Sequence, residues 1–170
     1  QCFTENQQGL VRYHEGLSPK ESAKDIIRHV SDGLMIAEEH NLPNVIKDFI
    51  KTHHGTSSTG YFLTTYLNEG GDPSDVAEFY YDGVKPTEKE HVILMICDAV
   101  EAASRSLKDY SPDSISALVD KIVEGKISEG QLGEAYISLN EINVMKAEIK
   151  SYLQQMYPYR IAYPQREAKS

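Results

Sequence analysis

Three histidines stand at positions from which they could bind a metal ion. His53 and His54 are adjacent at the predicted end of a helix, beside a Gly-Thr-Ser-Ser loop, and His29 lies midway along an earlier helix, next to its apolar stripe. Adjacent helical residues point about 100° apart, so one site holds both imidazoles only at a frayed helix end or between two metals. A structural role stays open, because each ring could instead hydrogen-bond to terminal carbonyls or lie at a helix interface.

An aspartate interrupts the most apolar segment of the chain. Asp98 follows Val-Ile-Leu-Met-Ile-Cys, and a carboxylate there must be paired, hydrogen-bonded or metal-ligating because an isolated buried charge is very costly. Glu101 and Arg105 follow on the same helical face. Asp98 could serve a metal beside a phosphate-binding guanidinium, or it could pair structurally with Arg105 or Arg28. Together the histidines and Asp98 are a plausible nitrogen and oxygen ligand set for Zn, Mn or Fe.

The other residues of reactive type have less context. Cys97 lies inside the apolar run and is predicted to be a buried small hydrophobic residue. Cys2 is far from it in the chain, so the cysteines form no zinc or redox motif, and a reducing compartment is the simpler interpretation. We interpret the remaining histidines as surface or capping residues: His14, His40 and His91.

Helix signals dominate the chain and predict an all-α fold. Three segments have the capping-box pattern of a helix start: Ser18-Pro19-Lys20-Glu21, Thr87-Glu88-Lys89-Glu90 and Ser138-Leu139-Asn140-Glu141. The predicted helices cover residues 19–39, 43–54, 58–67, a short segment from 73, 88–107, 112–124 and 139–155. In the second helix, the residues predicted to face inward are Val45, Ile46, Phe49 and Ile50, with Gly55 as the C-cap. Residues 80–86 are predicted to form a loop.

Composition narrows the function classes. The chain has 170 residues, 40% of them hydrophobic and 25% charged, which is typical of one soluble globular domain. Seventeen basic and 26 acidic residues give a net charge of −9, which argues against binding to nucleic-acid polymers, and a phosphate ligand would need local cations or metals. The longest apolar run, residues 92–97, is too short to cross a membrane. Gln1 at the first position favours a fragment or a processed product.

Several stretches, in order along nearly the whole chain, match a known family. They are Phe3-Thr4-Glu5-Asn6-Gln7, Leu17-Ser18-Pro19 with Ile26-Ile27-Arg28-His29-Val30, His53-His54-Gly55-Thr56, Asp98-Ala99-Val100-Glu101-Ala102-Ala103-Ser104-Arg105-Ser106-Leu107, Gly130-Gln131 and Arg160-Ile161-Ala162-Tyr163-Pro164. On these stretches the chain resembles the HD-domain part of the seven-transmembrane HD phosphohydrolases, a membrane-anchored family that includes cyclic di-AMP phosphodiesterases. The His-His-Gly-Thr and Asp-Ala-Val-Glu-Ala-Ala-Ser-Arg stretches are the specific ones.

The resemblance implies an HD helical bundle that hydrolyses cyclic di-AMP to linear pApA through a hydroxide activated by two divalent metal ions, Mn or Fe. The residues it assigns are four metal ligands, His29, His53, His54 and Asp98, and two substrate contacts, Arg105 and Thr56. Two alternatives stay open: an HD phosphohydrolase for another nucleotide or an alarmone, and a helical regulatory domain without catalysis.

The chain also departs from the family pattern. The family has an earlier histidine and a His-Asp dyad ahead of the Phe3 stretch, and this chain contains no His-Asp dipeptide. We therefore expect residues 1–170 to be the C-terminal part of one HD domain, with an entering loop at 1–17, a helical body at 18–156 and an irregular tail at 157–170. With three expected ligands missing, it should bind metal weakly and be inactive alone. The loop at 79–83 also differs from the family's usual Tyr-Pro-Gly-Pro-like segment, so the resemblance assigns no nucleotide contact to it.

The resemblance also implies a cellular setting. The intact protein would be a bacterial membrane protein with this domain in the cytoplasm, touching the membrane only through segments outside residues 1–170. Apolar surface where absent helices would pack should be exposed and favour self-association.

Overall fold

The computed structural model describes residues 16–157, which form six α-helices and one 3-10 helix. They are α1 (Pro19–Glu39), α2 (Asn44–Thr52), α3 (Gly60–Asn68), the 3-10 helix (Pro73–Phe79), α4 (Lys89–Ser104), α5 (Pro112–Ser128) and α6 (Leu139–Met156). The part of the chain described contains no β-strand, only an isolated bridge between Ser58 and Tyr80. The all-α prediction is confirmed. None of the described helices is both long and apolar enough to cross a bilayer.

Some sequence expectations lie outside residues 16–157. They concern Cys2, His14, the stretches at 3–7 and 160–164, and almost all of the predicted entering loop and tail.

Two of the three predicted capping boxes are present. Ser138 at the start of α6 accepts a hydrogen bond from the Glu141 amide (3.2 Å), and the Glu141 carboxylate accepts one from the Ser138 amide (2.9 Å). Ser18 begins α1 in the same way. Such pairs satisfy amides that a helix start otherwise leaves without partners.

The third predicted capping box, at residues 87–90, is wrong. Helix α4 begins one residue later than the pattern requires, with Glu88 at the N-cap and no side-chain cap bond. Thr87 therefore lies outside the helix, and the amine of Lys89 instead donates to Glu141 at the start of α6 (2.6 Å).

The main hydrophobic core lies between α4, α5 and α6. Helices α4 and α5 each present a stripe of buried residues with a spacing of four, so both stripes lie on one helical face. The stripes are Val92, Ile96 and Val100 on α4, and Ile115, Val119 and Val123 on α5, and they pack with Ile142, Met145 and Leu153 of α6. Each such side chain contributes about 1.5–3 kcal/mol of burial.

The amino-terminal half forms a second layer, in which α1 packs against α2, α3 and the 3-10 helix, and α2 contacts α4. Here the predicted inward face of α2 is partly wrong, because Val45 and Ile46 are 58% and 42% exposed. Lys47 is buried in their place, and its amine reaches the Glu38 carboxylate on α1 (2.6 Å). A lysine can cover apolar surface with its aliphatic stem while its charged end is paired. The buried face of α2 therefore includes Lys47 and differs from the face that the apolar residues predicted.

Two residues of α4 lie differently from their predictions. His91, expected at the surface, is 8% exposed because α2 crosses α4 there, and its ring meets the Phe49 ring at 4.8 Å. Cys97, expected to be buried, is exposed. Its neighbour Ile96 faces the core, and adjacent helical residues point about 100° apart.

Cys97 faces a groove between α4 and α6. The groove has a volume of about 770 Å³, and its lining is mainly apolar, with Ile93, Val144 and Tyr152 among the lining residues. The structure thus has exposed apolar surface on this side, while self-association through it stays a prediction.

We expect the Ser138→Ala substitution to lower the free energy of unfolding by about 1 kcal/mol, because it removes the side-chain cap of α6. Urea denaturation followed by circular dichroism measures this change. Ser151→Ala, at an exposed position in the middle of the same helix, is the matched control and should change stability by less than about 0.5 kcal/mol. Equal losses in the two variants would contradict a capping role.

Candidate metal centre

Three imidazoles converge where α1 meets the end of α2. His29 comes from the middle of α1, His53 is the C-cap of α2, and His54 is the next residue. One ring nitrogen from each lies within 4.8 Å of the other two, and all three side chains are partly buried. The structure thus brings together three of the four predicted metal ligands.

The hydrogen bonds of His29 and His53 define which ring nitrogens carry protons. The Nδ1 atom of His29 lies 2.5 Å from the Ile26 carbonyl, and that of His53 lies 2.8 Å from the Ile50 carbonyl. Because a carbonyl oxygen only accepts, both Nδ1 atoms must be donors. In the neutral rings both Nε2 atoms therefore carry lone pairs, and these two atoms face each other at 2.9 Å.

Two lone pairs at this distance repel each other unless a proton or a cation lies between or beside them. Burial lowers the pKa of His29 by more than the bond to the Ile26 carbonyl raises it, so protonation of this ring is disfavoured. A divalent metal satisfies both lone pairs without a proton, and neutral imidazole is a common ligand of Zn and Fe. The residues present therefore fit a metal ion, and the histidine triad can hold one.

His54 is positioned by an aromatic neighbour from the loop before α4. Its ring stacks on that of Tyr81, with centroids 4.2 Å apart and planes 16° from parallel. Burial, together with the neighbouring His53 and His29, lowers the pKa of His54 to about 2, so this ring is neutral and its lone pair is available. Tyr81 was within the predicted loop at 80–86, but nothing in the sequence marked it as part of the site.

Asp98 lies at the edge of the histidine triad. Its Oδ2 atom is 3.7 Å from Nδ1 of His54, and burial raises the pKa of its carboxyl group. The two structural pairings considered for it are not found among residues 16–157. Arg28 pairs with Asp25 and Asp32. Arg105 pairs with Glu101 through its Nε atom (2.7 Å) and its Nη2 atom. Asp98 is thus directed to a histidine rather than to an arginine.

The turn after His54 is held by Gln131, which follows α5 in the chain. Gln131, which is buried, accepts a hydrogen bond from the Thr56 amide (3.0 Å) and donates one to the Thr56 hydroxyl (3.1 Å). Gly55 has a φ of +54°, and a Cβ atom there would lie 2.4 Å from the Gln131 side-chain oxygen. This position needs glycine because the backbone is left-handed and the side-chain space is already filled.

The loop at 80–86 closes over the same turn. The Tyr81 amide donates to the Ser57 carbonyl (2.9 Å), and a Cβ atom at Gly83 would lie 2.4 Å from the Gly55 carbonyl oxygen. The backbone that carries His53 and His54 is therefore held by Gln131 and by this loop.

A lysine that the sequence analysis did not select also reaches this turn. Lys126 donates to the Ser57 hydroxyl at 2.6 Å, and its charge lowers the pKa values of His54 and Asp98, behind the larger effects of burial and of the histidines. Helix α5 was predicted to end at residue 124, before Gly125, but it continues to Ser128, which places Lys126 in its last turn. No sequence signal indicated this position.

Comparison with known proteins places this site in a family. No family model matches the chain. The Cyclic-di-AMP phosphodiesterase PgpH of Bacillus subtilis (strain 168) is 34% identical over 169 residues, which cover 99% of this chain and 24% of that protein. The PgpH of Listeria monocytogenes serotype 1/2a (strain 10403S) is 34% identical over 162 residues, covering 95% and 22%. The chain thus spans about a quarter of the length of these curated relatives.

A solved structure shares the fold. The L. monocytogenes PgpH HD domain, crystallised in complex with cyclic-di-AMP, matches with a TM-score of 0.80 and 33% identity, over 88% of this chain and 70% of that one. The fold is that of an HD domain, and the histidine triad lies within it. Within that class, the chain belongs to the family of the PgpH HD domain.

We expect Gly55→Ala to destabilise the chain more than Gly70→Ala does. Both glycines have positive φ angles, which cost an alanine about 1–2 kcal/mol, but a Cβ atom at Gly70 meets nothing within 4 Å. At Gly55 the displaced Gln131 should add about 1–3 kcal/mol of overpacking. Urea denaturation of the two variants measures the difference in unfolding free energy. Equal losses would show that Gly55 is needed for its backbone angle alone.

Proposed function

We propose that this domain is the site of a metal-dependent phosphodiesterase that hydrolyses cyclic di-AMP to linear pApA. The observation that carries the proposal is the contact between the Nε2 atoms of His29 and His53, each with its Nδ1 proton already donated to a carbonyl. This arrangement is suited to a cation, and it occurs in a fold whose relative was crystallised with cyclic-di-AMP.

The proposed ligands are His29, His53, His54 and Asp98. The carbonyls of Ile26 and Ile50 orient the first two rings, and stacking on Tyr81 orients the third. Bonds of this kind from the distal ring nitrogen fix the tautomer and strengthen a ligating imidazole. Asp98 adds the negative charge that a divalent ion needs and that neutral imidazoles lack.

The proposed metals are Mn or Fe, two in a complete site. When bound, they would supply Lewis-acid stabilisation of the phosphoryl charge and activation of the attacking water. Within this chain the histidines hold their lone pairs in fixed directions, and the ring of Tyr81, in the loop at 80–86, covers one face of His54.

Arg105 and Thr56 are proposed substrate contacts. To bind a phosphate oxygen, the Arg105 guanidinium exchanges its bond to Glu101, which lies on the same helix and is exposed. Thr56 offers a hydroxyl already oriented by Gln131. Location in the cytoplasmic part of a bacterial membrane protein also belongs to this proposal, supported by the likeness to PgpH.

We expect His53→Ala to weaken Mn²⁺ binding at least tenfold, because it removes one lone pair of the central pair. Electron paramagnetic resonance of free Mn²⁺ measures the binding. His40→Ala is the matched control, since His40 is an exposed C-cap of α1, and it should bind as the unaltered chain does. A similar affinity in both variants would exclude His53 as a ligand.

We expect a Mn- or Fe-loaded HD domain, in which the family's upstream histidine and His-Asp dyad precede these residues, to bind cyclic di-AMP and to release pApA, detected by calorimetry and by chromatography. Residues 1–170 alone should release little. EDTA should abolish cleavage because it removes the metal, and His53→Ala should lower it at least tenfold because it weakens metal binding. A metal-loaded domain with the dyad that neither binds nor cleaves cyclic di-AMP contradicts the proposed substrate, and cleavage that persists in EDTA contradicts the proposed metal dependence.

A further inference from the structure

Lys126 is buried for a lysine, and its amine reaches the turn that follows His53 and His54. Its side chain is only 15% exposed, although it stands in the last turn of α5, where a lysine that merely favoured the helix terminus could remain in water. Removal of an amine from water disfavours its charge, and burial lowers the pKa of Lys126. Such a placement is costly unless the charge has a partner.

The partners of this amine among residues 16–157 leave much of its charge uncompensated. An ammonium group carries three donors, and here it donates to Ser57 Oγ at 2.6 Å. The nearest carboxylate oxygen, on Glu129, is 3.9 Å away, beyond hydrogen-bond distance, and that side chain is 45% exposed. Arg105, by contrast, is held directly by Glu101.

The position of the amine connects it to the histidines. Ser57 is buried, and its backbone amide donates to the carbonyl of His54 (3.1 Å), so Lys126 is bonded to the turn that carries the paired histidines. Its charge also acts on Asp98 and His54. A cation bonded to the turn that follows the proposed ligands, in a chain of net charge −9, is where an anionic ligand would be attracted.

We propose that Lys126 and Ser57 form a phosphoryl-binding subsite beside the histidine triad. The Lys126 ammonium donates to a non-bridging phosphoryl oxygen, and Ser57 keeps the amine directed at the site. This assignment rests on the proposed function for its substrate, a phosphodiester, but the subsite itself requires only a phosphoryl group. A charge-assisted hydrogen bond of this kind is stronger than a neutral one.

The test uses the whole chain with metal removed by EDTA and inorganic phosphate as the probe, followed by ¹H–¹⁵N correlation spectra. We expect saturable shifts at the Thr56 and Ser57 amides. Lys126→Met and Lys126→Gln should weaken the apparent dissociation constant about tenfold or more, and Lys126→Arg should stay within about threefold. Lys121→Met is the matched control, because Lys121 is an exposed residue of the same helix, and it should bind phosphate normally.

Lys126→Gln separates the proposal from a purely structural role, since an amide can still donate to Ser57 but carries no charge. Phosphate binding by Lys126→Gln equal to that of the unaltered chain overturns the subsite, as does an absence of phosphate binding in the unaltered chain. If Lys126→Met unfolds, which thermal denaturation would reveal, the Gln and Arg variants still decide the question.

The same variants titrated with cyclic di-AMP distinguish this proposal from the proposed function. Binding of phosphate that depends on Lys126, in a metal-loaded domain with the upstream dyad that ignores cyclic di-AMP, overturns the proposed substrate and supports the subsite. Binding of cyclic di-AMP that is unaffected by Lys126→Gln supports the function and overturns the subsite.

Discussion

Two imidazole lone pairs facing each other at 2.9 Å constrain this molecule more than any other contact. The contact requires that both Nδ1 protons are donated elsewhere, and carbonyls one turn back on α1 and α2 accept them. It also requires that α1 and α2 pack against each other in one register. The backbone must then turn sharply after His53 so that the His54 ring joins the other two. Burial disfavours a proton on His29, so the pair is suited to a metal.

The two layers of the fold meet beside this contact, where His54 of the amino-terminal layer approaches Asp98 of α4 (3.7 Å). The amino-terminal layer supplies the three rings, α4 supplies Asp98, and α5 supplies Lys126, which is bonded to the turn after His54. A shift between the layers would change the distance between the Asp98 carboxylate and the histidine rings. The contact between α2 and α4, with His91 buried against Phe49, therefore helps to define the geometry of the centre.

Local signals predicted the helices well, and tertiary contacts decided the rest. The Ser18 and Ser138 caps were readable because the bonding partners lie three residues away. The outward face of Val45 and the exposure of Cys97 depend on which helix packs against which, and sequence periodicity does not contain that information.

The same division applies to the centre. Residue type and the family stretches selected the three histidines, whereas Tyr81 and Lys126 belong to the site only because distant segments of the chain fold against it. Lys126 also lay beyond the predicted end of α5 at residue 124, whereas the helix continues to Ser128.

The hydrogen bonds between Gln131 and Thr56, on the turn after His54, have a consequence for the order of folding. The His29–His53 contact closes a segment of 24 residues, whereas the Thr56–Gln131 bond closes one of 75, an entropic difference of about 1 kcal/mol in favour of the shorter closure. The histidine pair can therefore assemble while α5 and α6 are still undocked, and the turn becomes rigid only once the last third of the chain arrives. A nascent chain would thus bring the two histidines together before the turn that follows them is held in place.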